Sequence, residues 1–165
     1  MSSPTVIDAN CLKGFQDERV SGKEDIFTSM INKVYVKGCI AIDSENLAIQ
    51  EYNDCCKPSS VGINLKDWIA DEIINKKIVP FTMNREIFRE LIQMGLPKPD
   101  CKWPGIAVGA GADTIITQDL DLFDPGSKSA NAKTKEKIRN KGGKLSKHLK
   151  KNFKIEVTTA ENFLI

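Results

Sequence analysis

The sequence predicts an α/β fold: a three-layer α/β/α sandwich around a central, mainly parallel sheet. Two observations carry this expectation. Short β-branched runs, Thr5-Val6-Ile7 and Thr114-Ile115-Ile116-Thr117, read as buried strands, and segments of helical periodicity alternate with them. The run TIIT is apolar without alternation, as befits a parallel strand covered on both faces. At 165 residues the chain has the length of one ordinary domain, so a single domain over 1–165 is expected.

The elements follow in order. TVIDAN opens with a strand ending at Asp8, and a polar stretch follows. EDIFTSMINKV then places Ile26, Met30 and Ile31 on one side of a helix. VYVKGCIAIDSENLAIQEYND reads as a short hairpin turning at Asp43–Asn46, its second arm running into a helix near Glu51. INLKDWIADEII gives a helix with Leu65, Trp68, Ile69 and Ile73 apolar and Asn64 as its cap. NREIFRELIQMGL repeats the pattern with Ile87, Leu91 and Met94, and Gly95 and Pro97 stop it. From Pro99 and Asp100 the chain becomes helical through Ile106, Ala107 and Ala110, with Gly105 and Gly109 small enough for close packing on a sheet and Gly111 closing the helix. TIIT forms the next strand and leads to Asp119. The Lys-rich tract has periodicity through Ile138, Leu145 and Leu149, interrupted by Gly142 and Gly143, which predicts a split helix. KIEVTTAENFLI ends the chain as an edge strand and a short helix docked by Phe163 and Leu164.

Charge is unevenly distributed. The formal net charge is +2, yet residues 126–154 hold 11 of the 24 Lys and Arg and a single acid, Glu136, leaving 13 basic against 21 acidic residues elsewhere. A basic insertion at about 126–152 thus sits on an acidic body. Lys133, Lys135, Lys137, Arg139, Lys141 and Lys144 are its candidate nucleic-acid-binding residues, and a solvated surface is the alternative. No stretch nears the roughly 18 apolar residues that span a membrane, and the N-terminus lacks a secretory layout. Five cysteines without zinc spacing read as reduced thiols, which points to the cytoplasm. Cys101, beside an acid, is either reactive or a small core residue. Trp68 reads as core, and Trp103 as either core or the rim of a site.

Four acids close apolar segments: Asp8, Glu51, Asp100 and Asp119. Carboxylates brought together repel unless a hard divalent cation neutralises them, so this set suggests Mg²⁺ or Mn²⁺. Each acid also has a simpler reading: Asp8 as a strand end, Glu51 as a solvated helix residue, Asp100 as a helix cap after Pro99, and Asp119 as a turn former in DLDLFD. Asp113 reads as closing a turn and not as a ligand. A single histidine, His148, lies in the Lys-rich tract, which disfavours histidine-based zinc or acid–base chemistry.

In this order the motifs resemble the PIN-domain ribonucleases. The carriers are Asp8 followed by Asn10, Asp100 opening a helix that leads to Gly111-Ala112-Asp113, Thr117 and Asp119 as T-x-D, and the closing T-x-E-x-F-L. An E-Y pair at a helix start, in IAIDSENLAIQEY, points to Glu51 as the second acid, with Glu45 as the competitor. The resemblance implies a Mg²⁺- or Mn²⁺-dependent endoribonuclease acting on single-stranded RNA. It also implies metal ligation by Asp8, Asp100 and Asp119, a metal-completing or water-orienting Glu51, and supporting roles for Asn10, Thr117 and Asp121. A toxin of a toxin–antitoxin or antiviral system, an antitoxin partner and a homodimer are further implications. A DNA- or flap-directed nuclease and a catalytically inactive nucleic-acid-binding module are the alternatives. The basic insertion is longer than the family usually carries, and the resemblance says nothing of its role.

Overall fold

The computed structural model describes residues 3–56 and 64–165. The elements are β1 (Ser3–Ile7), α1 (Ala9–Ser21), α2 (Ile26–Lys37), β2 (Gly38–Asp43), α3 (Leu47–Cys55), α4 (Leu65–Ile74), β3 (Ile78–Phe81), α5 (Phe88–Gln93), α6 (Lys102–Ala110), β4 (Thr114–Ile116), α7 (Ala132–Lys141), α8 (Lys144–Phe153), β5 (Glu156–Thr158) and α9 (Ala160–Phe163). Five strands form one parallel sheet in the order β3-β2-β1-β4-β5. At its centre Thr5 of β1 lies between Ile40 of β2 and Thr114 of β4.

The chain moves one way across the sheet from β1 to β2 to β3, then returns past β1 to place β4 and β5 on the other side. Right-handed crossovers put helices of the two directions on opposite faces. Accordingly α2 packs on β1 and β2, while α6 covers β1 to β4 from the opposite side, giving the three layers. Val6, Ile7, Ile115 and Ile116 are fully buried between them. No helix among the described residues is long and apolar enough to cross a membrane.

Three elements depart from the sequence reading. Residues 9–21, read as a polar stretch, form α1. Its apolar face is narrow, with Cys11, Leu12 and Phe15 buried and Lys13, Asp17 and Glu18 outside, so the periodicity is weak in the sequence. Glu18 then organises the next helix: its carboxylate accepts the N–H groups of Asp25, Phe27 and Thr28 and the Thr28 hydroxyl, at 2.7–2.9 Å. Those bonds outweigh partial burial and hold the Glu18 carboxyl below its usual range.

The expected hairpin is absent. Val34-Tyr35-Val36 has strand-like composition but belongs to α2, because Val34 shares the buried face of Met30 and Ile31. The segment from Gly38 to Asp43 is a strand parallel to both neighbours. The turn after it is real, but it leads into a helix: Asp43, fully buried, accepts the N–H groups of Glu45, Leu47 and Ala48. Strand β3 escapes the sequence reading because it is short and contains Pro80; it lies at the sheet edge, where a missing N–H is tolerated.

Several local expectations hold. Asn64 caps α4 by accepting the Lys66 N–H at 2.8 Å. Gly111 ends α6 at φ 64°. The basic tract is split at Gly142-Gly143: a Cβ on Gly143 would run into Asp124 and stand 2.7 Å from the Phe123 carbonyl oxygen, which accepts the N–H groups of Leu145 and Ser146. Helix α8 is thereby fastened to the turn that follows β4. Lys37 pairs at 2.7 Å with Asp113, which closes the turn before β4 as read.

Gly105 and Gly109 permit close packing, although their immediate neighbour is the segment leaving β3. The Asn84 N–H donates to the Gly105 carbonyl at 3.0 Å, and a Cβ on Gly109 would collide with the Thr82 carbonyl oxygen. In an open helix Gly→Ala stabilises by up to about 1 kcal/mol. Here Gly109→Ala must displace backbone and is expected to destabilise by about 2–4 kcal/mol, read by urea denaturation. A neutral or stabilising result would show that α6 does not approach Thr82 so closely.

Candidate metal centre

The direction of strand addition reverses between β1 and β4, and in open parallel sheets ligands settle outside the carboxyl ends of the strands at such a reversal. Asp8 follows β1, and Thr117 and Asp119 follow β4. Asp8 is 5% exposed; one carboxylate oxygen accepts the Ala9 N–H at 2.7 Å, capping α1, and the other accepts the Thr117 hydroxyl at 2.6 Å. Thr117 Oγ1 in turn accepts the Asp119 N–H at 2.9 Å. Asn10 reaches Asp8 only at 3.5 Å, but its side-chain oxygen accepts the Gln118 N–H at 3.2 Å. The two strand ends are thus tied through Asp8, Asn10 and Thr117.

Asp119 caps a 3-10 turn, Leu120–Leu122, by accepting the Asp121 N–H at 2.9 Å, so its turn-forming role and its site role coexist. Asp100 arrives on another 3-10 turn, Lys98–Cys101, that leads into α6. It makes no capping hydrogen bond, so the cap expected from Pro99 is not its function. Oxygen atoms of Asp100, Asp119 and Asp121 lie within 4.8 Å of one another. Asp121, read from sequence as a supporting residue and as a substitute or neighbour for Asp119, stands with Asp100 and Asp119 in the innermost group, and Asp8 is linked to it through Thr117.

Burial and neighbouring charge act on two of the acids. Burial pushes the Asp8 carboxyl up to about 7; Thr117 and Ala9 pull it back, while the charges of Glu51 and Asp119 raise it further. Asp100 is also raised, first by burial, then by Asp119 and Glu51, with Lys102 opposing. Two cations partly balance the site. Lys102, 8% exposed, pairs with Glu51 at 2.6 Å, and Lys128 lies 3.1 Å from Asp121 and 3.5 Å from Asp119. Glu51 thus acts on both Asp8 and Asp100, whereas Glu45 pairs with Arg85 at 2.7 Å between exposed side chains.

Behind the carboxylates the packing is apolar. Trp103 is fully buried and stacks on Tyr52 at 5.7 Å, and the Tyr52 hydroxyl donates to the Ile7 carbonyl at 2.5 Å. The rim position considered for Trp103 is therefore ruled out, and Trp68 packs on Phe15 at 4.9 Å. Cys101 is buried and its thiol is pushed up by burial, which removes the reactive reading. All five cysteines are free; Cys55 is half-buried and the other four are buried. In the basic tract Lys133, Lys137, Lys141 and Lys144 are exposed, while Lys135 and Arg139 are half-buried.

Chemically, the group offers three carboxylates, the donor type that Mg²⁺ and Mn²⁺ prefer. Neither Lys102 nor Lys128 is announced by any motif; Lys102 follows Asp100 by two residues, and Lys128 is brought back by the loop after Asp124.

The raised carboxyls make stability pH-dependent. Between the ordinary value of 3.8 and about 7, folded Asp8 keeps a proton that the unfolded chain has released, so stability is present at low pH and declines as pH rises through 7. Three pKa units correspond to an upper limit on the order of 4 kcal/mol. In EDTA, the midpoint of chemical denaturation is expected to fall from pH 5 to pH 8, and Asp8→Asn should flatten that fall. An Asp8→Asn variant with the wild-type pH slope would refute the placement of this charge.

No family model, curated protein or solved structure matches the chain, so the reading of its chemistry rests on these residues.

Proposed function

We propose that the chain is a Mg²⁺- or Mn²⁺-dependent endoribonuclease of PIN type that hydrolyses phosphodiester bonds of single-stranded RNA. The observation that carries the reading is the convergence of Asp100, Asp119 and Asp121 at the strand-order reversal, with Asp8 and Glu51 adding negative charge behind them. An all-carboxylate donor set fits a hard cation, and Lys128 already supplies positive charge at that point.

In this reading Asp100, Asp119 and Asp121 hold the metal. A bound divalent ion would lower the pKa of a coordinated water and offset charge on the phosphate oxygens. Asp8 is held rigidly by Ala9 and Thr117, and its charged form is favoured when positive charge arrives. Glu51, kept in place by Lys102, orients water or completes the cluster. A divalent ion held there would replace Lys128, whose exposed side chain is free to leave Asp119 and Asp121.

A catalytically inactive binding module is the second reading, favoured by the same Lys128, because an ammonium that neutralises Asp119 and Asp121 can serve a purely structural purpose. A DNA- or flap-directed nuclease would use the same carboxylates; recognition of the 2′-hydroxyl separates RNA from DNA. The five free thiols fit a cytoplasmic protein. The toxin role, an antitoxin partner and a homodimer rest on the resemblance alone.

Cleavage of a fluorescent single-stranded RNA is expected with Mn²⁺ or Mg²⁺ and not in EDTA. Asp100→Asn and Asp119→Asn should each lower the rate by about 10²-fold or more, since both the metal and its stabilisation of charge are lost. Glu51→Gln should also lower it and Glu45→Gln should leave it unchanged. Mn²⁺ should raise the melting temperature of the wild type but not of Asp100→Asn. Cleavage that survives Asp100→Asn would refute the assignment, and thermal indifference to Mn²⁺ with no cleavage would favour the binding module. A matched DNA strand cut as fast would overturn the RNA preference.

A further inference from the structure

The break at Gly142-Gly143 turns the basic tract back on itself and wraps it around a cavity of about 610 Å³ between α7, α8 and β5. Four cationic side chains line it, Arg139 and Lys141 from α7 and Lys147 and Lys150 from α8, against one acid, Glu156. Among the described residues none of the four makes an ion pair, whereas Lys37, Lys102 and Lys128 all do. In an uninterrupted helix Arg139, Lys147 and Lys150 would fall within about 80° of one another and Lys141 on the far side. With the break, all four border one hollow.

One chain of contacts leads from the hollow toward the acidic centre: Arg139 and Asn162 also line an adjoining cavity with Gln118, Glu136 and Glu161, and the Gln118 N–H is bound to the side chain of Asn10, two residues from Asp8. The tract is also anchored there, because Leu145 and Ser146 of α8 donate to the Phe123 carbonyl just beyond Asp121. Unpaired cations sharing one concave surface hold a chain of phosphates at less cost than cations on a convex one, because each phosphate meets several charges at once and counterions are released.

We propose that this hollow is an anchoring site for the phosphate backbone of single-stranded nucleic acid, holding a strand whose scissile bond lies at the acidic centre. The second part rests on the nuclease reading above; the binding does not. Only part of the candidate lysine set serves it: Arg139 and Lys141 belong to the site, joined by Lys147 and Lys150, while Lys133, Lys135, Lys137 and Lys144 lie outside the cavity lining.

The test measures binding of a fluorescent 12-nucleotide oligo-uridine by anisotropy in EDTA, where no cleavage occurs. Replacing Arg139, Lys141, Lys147 and Lys150 together by Gln should weaken binding at least tenfold and reduce the slope of log affinity against log salt by about 3, from about 0.7 for each phosphate no longer neutralised. The matched variant with Lys133, Lys135, Lys137 and Lys144 replaced by Gln removes as much charge and should change affinity less than threefold. Both variants alter exposed or half-buried side chains, and their melting curves verify folding. Equal losses in the two variants would mean diffuse attraction and overturn the site. So would wild-type protein that does not bind the oligonucleotide, or that binds poly-glutamate as tightly. The two readings fail separately: normal binding by the Arg139 variant of an enzyme that cleaves sinks this site alone, and weakened binding in a protein that never cleaves with Mn²⁺ sinks the nuclease reading alone.

Discussion

Repulsion among carboxylates held at the carboxyl end of a parallel sheet is the constraint around which the rest of the structure is arranged. Asp100, Asp119 and Asp121 come from two separate stretches of the chain and meet where strand addition changes direction, and Asp8, from a third, is tied to them through Thr117. Left alone, such a group opposes folding, since burial and mutual repulsion both favour the neutral acid. The structure offsets this with specific contacts. Ala9 and Thr117 donate to Asp8, Asp119 receives the Asp121 N–H, and Lys102 and Lys128 bring positive charge to Glu51 and to Asp119 and Asp121. These contacts reduce the cost without removing it, as the high position of Asp8 shows.

The hydrogen bonds around Thr117 also explain how distant segments are kept in register. Its hydroxyl gives a proton to Asp8 and receives one from the Asp119 backbone, so β1 and the turn after β4 share a single oxygen. Asn10 adds a second link through Gln118. Because all three residues lie at strand or helix ends, the links cost no sheet hydrogen bonds, and the rigid apolar packing of Tyr52 and Trp103 behind them leaves the carboxylates little freedom to spread.

Much of this frame was legible in the sequence. TVI and TIIT are unmistakable because a central parallel strand is apolar on both faces, and Asn64, Gly111 and the Gly142-Gly143 break act through local backbone chemistry that a sequence displays directly. The failures share a physical cause. Val34-Tyr35-Val36 has strand propensity, but Val34 gains more from burial on the face of α2 than its propensity costs, and propensity is the weaker term. Helix α1 owes its stability to the Asp8 cap and to packing against α2 and α3, neither of which is visible as periodicity. For the site, acids that end buried segments could be recognised one by one. Asp121 was legible as a neighbour or substitute for Asp119 in DLDLFD, whereas the arrival of Lys128 was not, since it depends on how the loop after β4 folds back.

That loop makes the acidic body and the basic tract parts of one mechanical unit. Phe123 follows the turn bearing Asp121, its carbonyl anchors the first turn of α8, and Gly143 fits against the adjoining backbone where any side chain would collide with Asp124. Gly126 donates to Asp121 at 3.3 Å, and two residues later Lys128 reaches the same carboxylate. The acidic group and the basic tract are therefore positioned by one short stretch of backbone: Asp121 and the Phe123 carbonyl stand two residues apart, so the turn that brings Asp121 to Asp100 and Asp119 also sets where α8 begins.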